Sequence, residues 1–284
     1  MVNAYISTIE EQLNETIERH QLMAETNRSY IYHMIGKRQY VLKQSKRVSL
    51  VQQFECHKQV FDLWQRQKKH CIFRIPEPYL SSRDGKFMLM EYVNGDSLLK
   101  GLVSGDDKIE NVFRQAGQGL QQYHALVTEA FFNQKEDLSR YEYIADVLSK
   151  TGGHVIRQRL SEFPDESKRV LFKDFSPANV VVSQSGEIYF LDVQEAFYFG
   201  PLYYDLSRFI DTTKVFSIVK NPFVVFNYAR VRQVVQAFLE GYNEAIDFDL
   251  LKKMQFVHRK EHIHIKMTVK PISAIILKLL YGVL

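Results

Sequence analysis

Cysteine is almost missing from the chain: Cys56 and Cys71 are the only two in 284 residues. Two thiols cannot build a disulfide framework, and their spacing matches no metal-ligand pattern. Both therefore read as small core or half-buried residues of a reducing, cytoplasmic setting. A secretory signal is not expected either, because "MVNAYISTIEEQLNETIERH" is polar and acidic where an apolar segment would be needed. A net positive balance is missing over most of the chain. The net charge is +4, but residues 251–284 alone carry seven Lys/Arg against one Glu, so residues 1–250 are slightly acidic at −2. No basic stripe crosses the main body, and nucleic acid is not an expected partner. Internal repeats, low-complexity linkers, an obvious metal cluster and a nucleophile triad are all lacking. The apolar tail "PISAIILKLLYGVL" has fourteen residues, short of the about 20 that span a bilayer. It reads as a buried closing helix; a membrane-surface helix, aided by the basic "KKMQFVHRKEHIHIK" before it, is the alternative.

What is present suits a globular protein. Hydrophobic residues make up 45% and charged residues 25%, enough for a sizeable core. The length fits two domains or one two-lobed unit. Ile9, Leu13 and Ile17 recur four apart, which predicts an opening amphipathic helix with Ser7 and Glu10 as a capping box. "RSYIYHMIGKRQYVLKQS" predicts strands over 29–35 and 39–44, joined by a tight turn at Gly36-Lys37. "LVQQFECHKQVFDLWQRQ" returns to helical spacing, "IPEPYL" is a proline-stiffened connection, and "KFMLMEYV" is an apolar strand. Near Asn94-Gly95-Asp96 the character turns mostly helical, interrupted by the strand pair "NVVVSQ" and "EIYFLDV" around Ser185-Gly186. The expected fold is α+β, with a small strand-rich lobe over 1–93 and a larger helical lobe over 94–284.

Chemistry concentrates in "LFKDFSPANVVVSQSGEIYFLDV". Asp174 and Asn179 lie five apart on a loop stiffened by Pro177, and the following hairpin returns Asp192 close to Asn179. An amide oxygen and a carboxylate are hard ligands suited to Mg²⁺, which borrows further oxygens from phosphates and water. Asp174 is then placed to accept a proton from an attacking hydroxyl. A base beside a metal pair is the layout of phosphoryl transfer in kinases, which also needs a lysine for the phosphates and a carboxylate to hold that lysine. Lys43 in "YVLKQ" and Glu55 in the next helix stand in that order.

These motifs together resemble the aminoglycoside phosphotransferase and choline kinase-like family, small-molecule kinases with the protein-kinase-like fold. The resemblance runs over about 23–243: "ETNRSYIYHMIGKRQYVLK" for the phosphate loop and first strands, "RIPEPYLSSRDGKFMLMEYVNGDSL" for the approach to the hinge, and "GLQQYHAL" with His124. "KDFSPANVVV" and "IYFLDVQEAFYFGPLYYDLSRF" resemble the catalytic loop and metal segment, and "FLEGYNEA" a later helix. It implies Asp174 as catalytic base, Asn179 and Asp192 as magnesium ligands, and Lys43 on the α- and β-phosphates of ATP, oriented by Glu55. It also implies Thr26, Asn27 and Ser29 over the phosphates, with the backbone of Glu91 and Val93, lined by Met90, around adenine. Asp205 is expected to brace the catalytic loop and His124 to be structural. The family often has His-Gly before its base where this chain has Phe172-Lys173, and the loop "ETNRS" lacks a glycine. The implied activity is ATP-dependent phosphorylation of a hydroxyl on a small molecule: a sugar, an amino alcohol or an aminoglycoside-like compound. A pseudokinase scaffold and a kinase-fold enzyme that modifies a protein are the competing readings. The thirteen residues from Asp192 to Asp205 leave no room for a long peptide-positioning segment, which favours the small acceptor.

Overall fold

The computed structural model describes residues 2–133, 141–143, 162–194, 196–220 and 228–269. Its first sheet grows from the predicted pair, β2 (Ser29–Ile35) and β3 (Gln39–Ser45), antiparallel with Ile31 opposite Lys43 and His33 opposite Val41. Flanking them are β1 (Arg19–Glu25), β6 (Phe87–Glu91) and β5 (Pro78–Ser81), in the order β1-β2-β3-β6-β5. Partners in antiparallel register share a face. One face buries Tyr32, Met34, Tyr40, Leu42, Phe87 and Leu89 with Ile9 of helix α1 (Asn3–Leu13). The opposite face carries Ile31, Val41, Lys43, Met88 and Met90, and Met88 and Met90 pack with Leu50 and Phe54 at the start of α2 (Val51–Gln67).

The opening helix differs from the expectation. It runs Asn3–Leu13, so Ser7 lies inside it and caps nothing, and Glu10 instead accepts from the Ile17 N–H at 2.8 Å. Asn14 ends the helix at φ 52, a left-handed conformation that asparagine tolerates. Ile17 therefore falls beyond the helix, and the chain turns into β1.

A second sheet, ordered β4-β11-β10-β7, joins β4 (Phe73–Arg74), β11 (Ile188–Phe190), β10 (Val180–Ser183) and β7 (Gly95–Ser97). The β10–β11 hairpin closes at Gly186, whose φ of 84 disfavours any side chain. Because β4 pairs parallel with β11, residues 73–74 add to a sheet built otherwise from residues after 94. Val60, Trp64 and Phe73 accordingly share one core with Phe113, Phe190 and Phe209. A third sheet orders β8 (Tyr141–Tyr143), β12 (Phe197–Pro201) and β9 (Lys168–Leu171) as β8-β12-β9.

The helices around these sheets are α3 (Leu98–Ser104), α4 (Ile109–Asn133), α5 (Tyr203–Lys220), α6 (Tyr228–Tyr242) and α7 (Phe248–Val269). Helices α4 and α6 meet backbone to backbone, since a Cβ at Gly117 would strike Phe238 O and one at Gly241 would strike Arg114 O. The basic stretch before the tail lies in α7, which buries Leu251, Met254, Val257 and His258. The tail "PISAIILKLLYGVL" lies outside the described residues. Among the described residues, no helix is long and apolar enough to cross a membrane.

Candidate active site

The loop between β9 and β10 is held from beneath by one carboxylate. Asp205, at the start of α5 and fully buried, accepts from Phe172 N at 2.6 Å and Lys173 N at 2.8 Å. His124 Nε2 donates to the same group at 3.0 Å, and its Nδ1 accepts from Tyr242 OH at 2.7 Å. A carboxylate offers acceptors only, so the tautomer follows. Asp205 thus braces the loop backbone, and His124, buried beside it, is structural.

That brace holds Lys173 at φ 69, in the left-handed region that costs a side-chain-bearing residue about 1–2 kcal/mol. The Lys173 amine rests 3.7 Å from the centroid of the Tyr198 ring, packed on β12. We predict that Lys173→Gly is more stable than Lys173→Val by about 1 kcal/mol, because both lose the amine and only valine keeps the backbone strain. Equal melting temperatures for the two variants would show that the strain is relieved by local rearrangement.

Past the brace, the four residues expected to do the chemistry form a connected chain. Asn179 Nδ2 donates to the Asp174 carbonyl at 3.0 Å, which leaves the amide oxygen facing away from that bond. Asn179 O accepts from Leu191 N at 2.8 Å, as the hairpin register with Val180 opposite Phe190 requires, and Asp192 is the next residue. Asp192, at φ 64, meets Lys43 Nζ at 2.7 Å and so ties the end of the β10–β11 hairpin to the first sheet. The Asp174 carboxylate receives Arg208 Nε at 3.1 Å and Nη2 at 2.5 Å on the same oxygen.

Glu55, expected to orient Lys43, does not do so here. Glu55 is exposed, while the face of α2 turned inward carries Gln53, His57, Val60 and Trp64. At about 100° per residue, a side chain two positions beyond Gln53 points to the opposite side. Gln53 turns inward instead, and it bonds the partner of Lys43 rather than Lys43 itself: its Nε2 donates to Asp192 Oδ1 at 3.0 Å and to Val193 O at 2.7 Å. Nearby, His57 Nε2 donates to Pro76 O at 2.7 Å, and burial holds its pKa below the ordinary histidine value.

The remaining expected residues are engaged in different ways. Thr26 Oγ1 accepts from Arg28 N at 3.2 Å and Ser29 N at 2.9 Å, and lies 3.1 Å from Ser29 Oγ, so both hydroxyls are used to shape the turn. Asn27 sits exposed at its tip, and Lys46 ties the turn down through Glu25 at 2.6 Å and Thr26 O at 2.7 Å. Met90 is half-buried opposite Val41. The Glu91 N–H is already donated to Glu77 O at 2.8 Å, so it is not free for a purine. The Glu91 carboxylate accepts from Glu77 N at 3.1 Å and from Tyr189 OH at 3.4 Å. Burial, followed by the Glu91 charge, pushes the Tyr189 phenol up to about 12, so it stays a donor. Val93 follows, half-exposed, before the chain enters β7.

With this geometry in place, comparison with known proteins gives the class. The chain matches the phosphotransferase enzyme family over residues 25–248. It belongs to that family of phosphotransferases, with a kinase-like α+β fold. A search of curated protein sequences finds no match. Among solved structures, the apo form of a thermostable mutant of the aminoglycoside phosphotransferase APH(4)-Ia superposes with a TM-score of 0.60 at 12% identity, covering 98% of this chain and 96% of that one. The GDP and kanamycin complex of APH(2")-IIia gives 0.60 at 14% identity, with 99% and 98% covered. Macrolide 2'-phosphotransferase MphH from Brachybacterium faecium gives 0.58 at 13% identity, with 95% and 93% covered. At such identities the likeness speaks for the fold.

Proposed function

We propose that the protein transfers the γ-phosphoryl group of ATP to a hydroxyl of a small polar molecule. The observation that carries this reading is the meeting of Lys43 and Asp192 at 2.7 Å, on a line of bonds that continues through Asn179 to Asp174. Nucleotide complexes among the similar structures, with GDP in one and ADP in another, support a purine nucleotide beside that pair. The adenine lies against Val41 and Met90, with hinge contacts from the Glu91 carbonyl and the Val93 backbone. The turn at residues 26–29 covers the phosphates.

The donor set suits magnesium. Asn179 has its amide nitrogen committed to a carbonyl, which turns its oxygen outward as a ligand, and Asp192 adds a carboxylate. Among the described residues no cluster of three His, Cys, Asp or Glu side chains could hold a metal. Mg²⁺ takes one or two protein oxygens and completes its shell with phosphates and water. Asn179 and Asp192 would hold the ion, which supplies neutralising charge to the phosphates. Lys43 takes the α- and β-phosphates, held in place by Asp192 and, through it, by Gln53. Asp174 accepts the proton of the acceptor hydroxyl. Sugars, amino alcohols and aminoglycoside-like compounds are the acceptor classes; kanamycin and hygromycin B appear in complexes of the similar structures.

The test is ATP consumption by the purified protein against panels of these three classes, with and without magnesium. Acceptor-dependent ADP release is the expected result. Label from ATP appearing chiefly in protein bands of a cell extract, dependent on Asp174, would replace the small acceptor by a protein. Lys43→Ala should raise the apparent KM for ATP by about tenfold or more, with little change in melting temperature because the pair is partly solvated. An unchanged KM would remove Lys43 from the phosphate site.

A further inference from the structure

We infer that Arg208 is the positioning residue of the base: it pins one oxygen of Asp174 and leaves the other for the acceptor hydroxyl. This rests on Asp174 being the base. Two guanidinium nitrogens, Nε at 3.1 Å and Nη2 at 2.5 Å, both go to Asp174 Oδ1. The familiar arginine fork spans both oxygens of a carboxylate; here Oδ2 stays out of it. Asp174 keeps 33% and Arg208 22% of their side-chain surface exposed, so the carboxylate is held without being sealed.

Arg208 is in turn fixed from α7. Its Nη1 lies 3.1 Å from His258 Nε2. A guanidinium has donors only, so His258 Nε2 must accept and its proton must sit on Nδ1. That Nδ1 faces Asp211 Oδ2 at 3.4 Å, and both residues are fully buried. Asp211 also takes Arg259 Nε at 3.1 Å and Nη2 at 3.0 Å, and Gln255 Nε2 at 3.2 Å. From α7 itself, the Glu261 carboxylate accepts from Tyr204 OH at 3.1 Å and adds negative charge near Arg208. Burial works against the Arg208 charge, and Asp174, Tyr204 and Glu261 together outweigh it, so the guanidinium pKa lies above the ordinary arginine value. Donors and acceptors thus alternate from Asp211 of α5 through His258 of α7 and back to Arg208 of α5, ending on Asp174, so the base is oriented by a relay in which α7 supplies the middle member. A network serving only to glue α5 to α7 would have no need to end on the base.

A double-mutant cycle separates the two roles. Arg208→Ala should lower kcat by about 10²-fold, the scale of a misaimed catalytic group, with the KM for ATP unchanged. In the Asp174→Asn background the same substitution should change kcat by less than about twofold, because residues that act as a unit are not additive. Equal losses of kcat in both backgrounds, or none in either, overturn the inference while leaving the base reading intact. Full turnover in Asp174→Asn alone overturns both. Should Arg208→Ala fail to fold, His258 carries the test. His258→Gln can still accept from Arg208 and donate to Asp211 and should keep near-normal kcat, whereas His258→Leu should lose kcat only while Asp174 is present. A His258→Leu loss that persists in Asp174→Asn counts against the inference.

Discussion

Asp174→Asn is expected to cut kcat by about 10²–10⁴ while moving the KM for ATP by no more than about twofold. The size of the effect follows from the geometry around the carboxylate. The amide oxygen of the substituted side chain can still accept the two Arg208 donors that now converge on Asp174 Oδ1. The new amide nitrogen would then take the place of Oδ2, putting a donor where the acceptor hydroxyl needs something to receive its proton. The backbone carbonyl of residue 174 still takes Asn179 Nδ2, so the ligand amide keeps its orientation and the nucleotide side is undisturbed. Arg208 loses a charged partner in a site only partly closed to water, so the melting temperature should fall by a small amount. Initial rates at varied ATP and acceptor, with single-turnover runs to isolate the chemical step, provide the check. A large rise in KM for ATP with kcat nearly intact would make Asp174 a binding residue.

Much of this site was legible in the sequence because its parts lie close along the chain or on regular elements. The β10–β11 hairpin fixes where Asp192 returns relative to Asn179, and a turn at Ser185-Gly186 announces the hairpin. The strand that presents Lys43 follows a tight turn at Gly36-Lys37, so its place in a strand pair could be read, although its run of Tyr40, Val41 and Leu42 shows no alternation. Other parts carried weaker signals. In α2 the kinase layout favours the first carboxylate of the helix, Glu55, yet the inward stripe runs through Gln53, His57, Val60 and Trp64. That stripe mixes polar with apolar residues, so apolar periodicity alone does not reveal it. Strand β1 left no trace because all seven of its residues are exposed at a sheet edge, and a fully solvated strand has no alternation to read. Arg208 was missed for a different reason. Its partners lie 34 and 50 positions away in sequence, and no local pattern marks a side chain whose role is set entirely by tertiary contacts.

Asp192→Ala should be the more damaging change to nucleotide handling, lowering kcat/KM by about 10³-fold and raising the magnesium needed for half-maximal rate. One carboxylate here has two tasks: it receives Lys43 at 2.7 Å and Gln53 at 3.0 Å, and it would contribute charge to the metal shell. Removing it releases Lys43, while Gln53 keeps its bond to Val193 O at 2.7 Å. Asp192 also stands at φ 64, where aspartate and asparagine are at ease and alanine costs about 1 kcal/mol. Asp192→Asn is therefore the sharper variant, because it tolerates the backbone and can still accept from Lys43 and Gln53 while losing only the charge. If the charge serves the metal, both variants need more magnesium at fixed ATP, and asparagine recovers stability without recovering rate. If Asp192 serves only to place Lys43, asparagine restores most of the activity and the magnesium titration does not move, which would take Asp192 out of the metal shell.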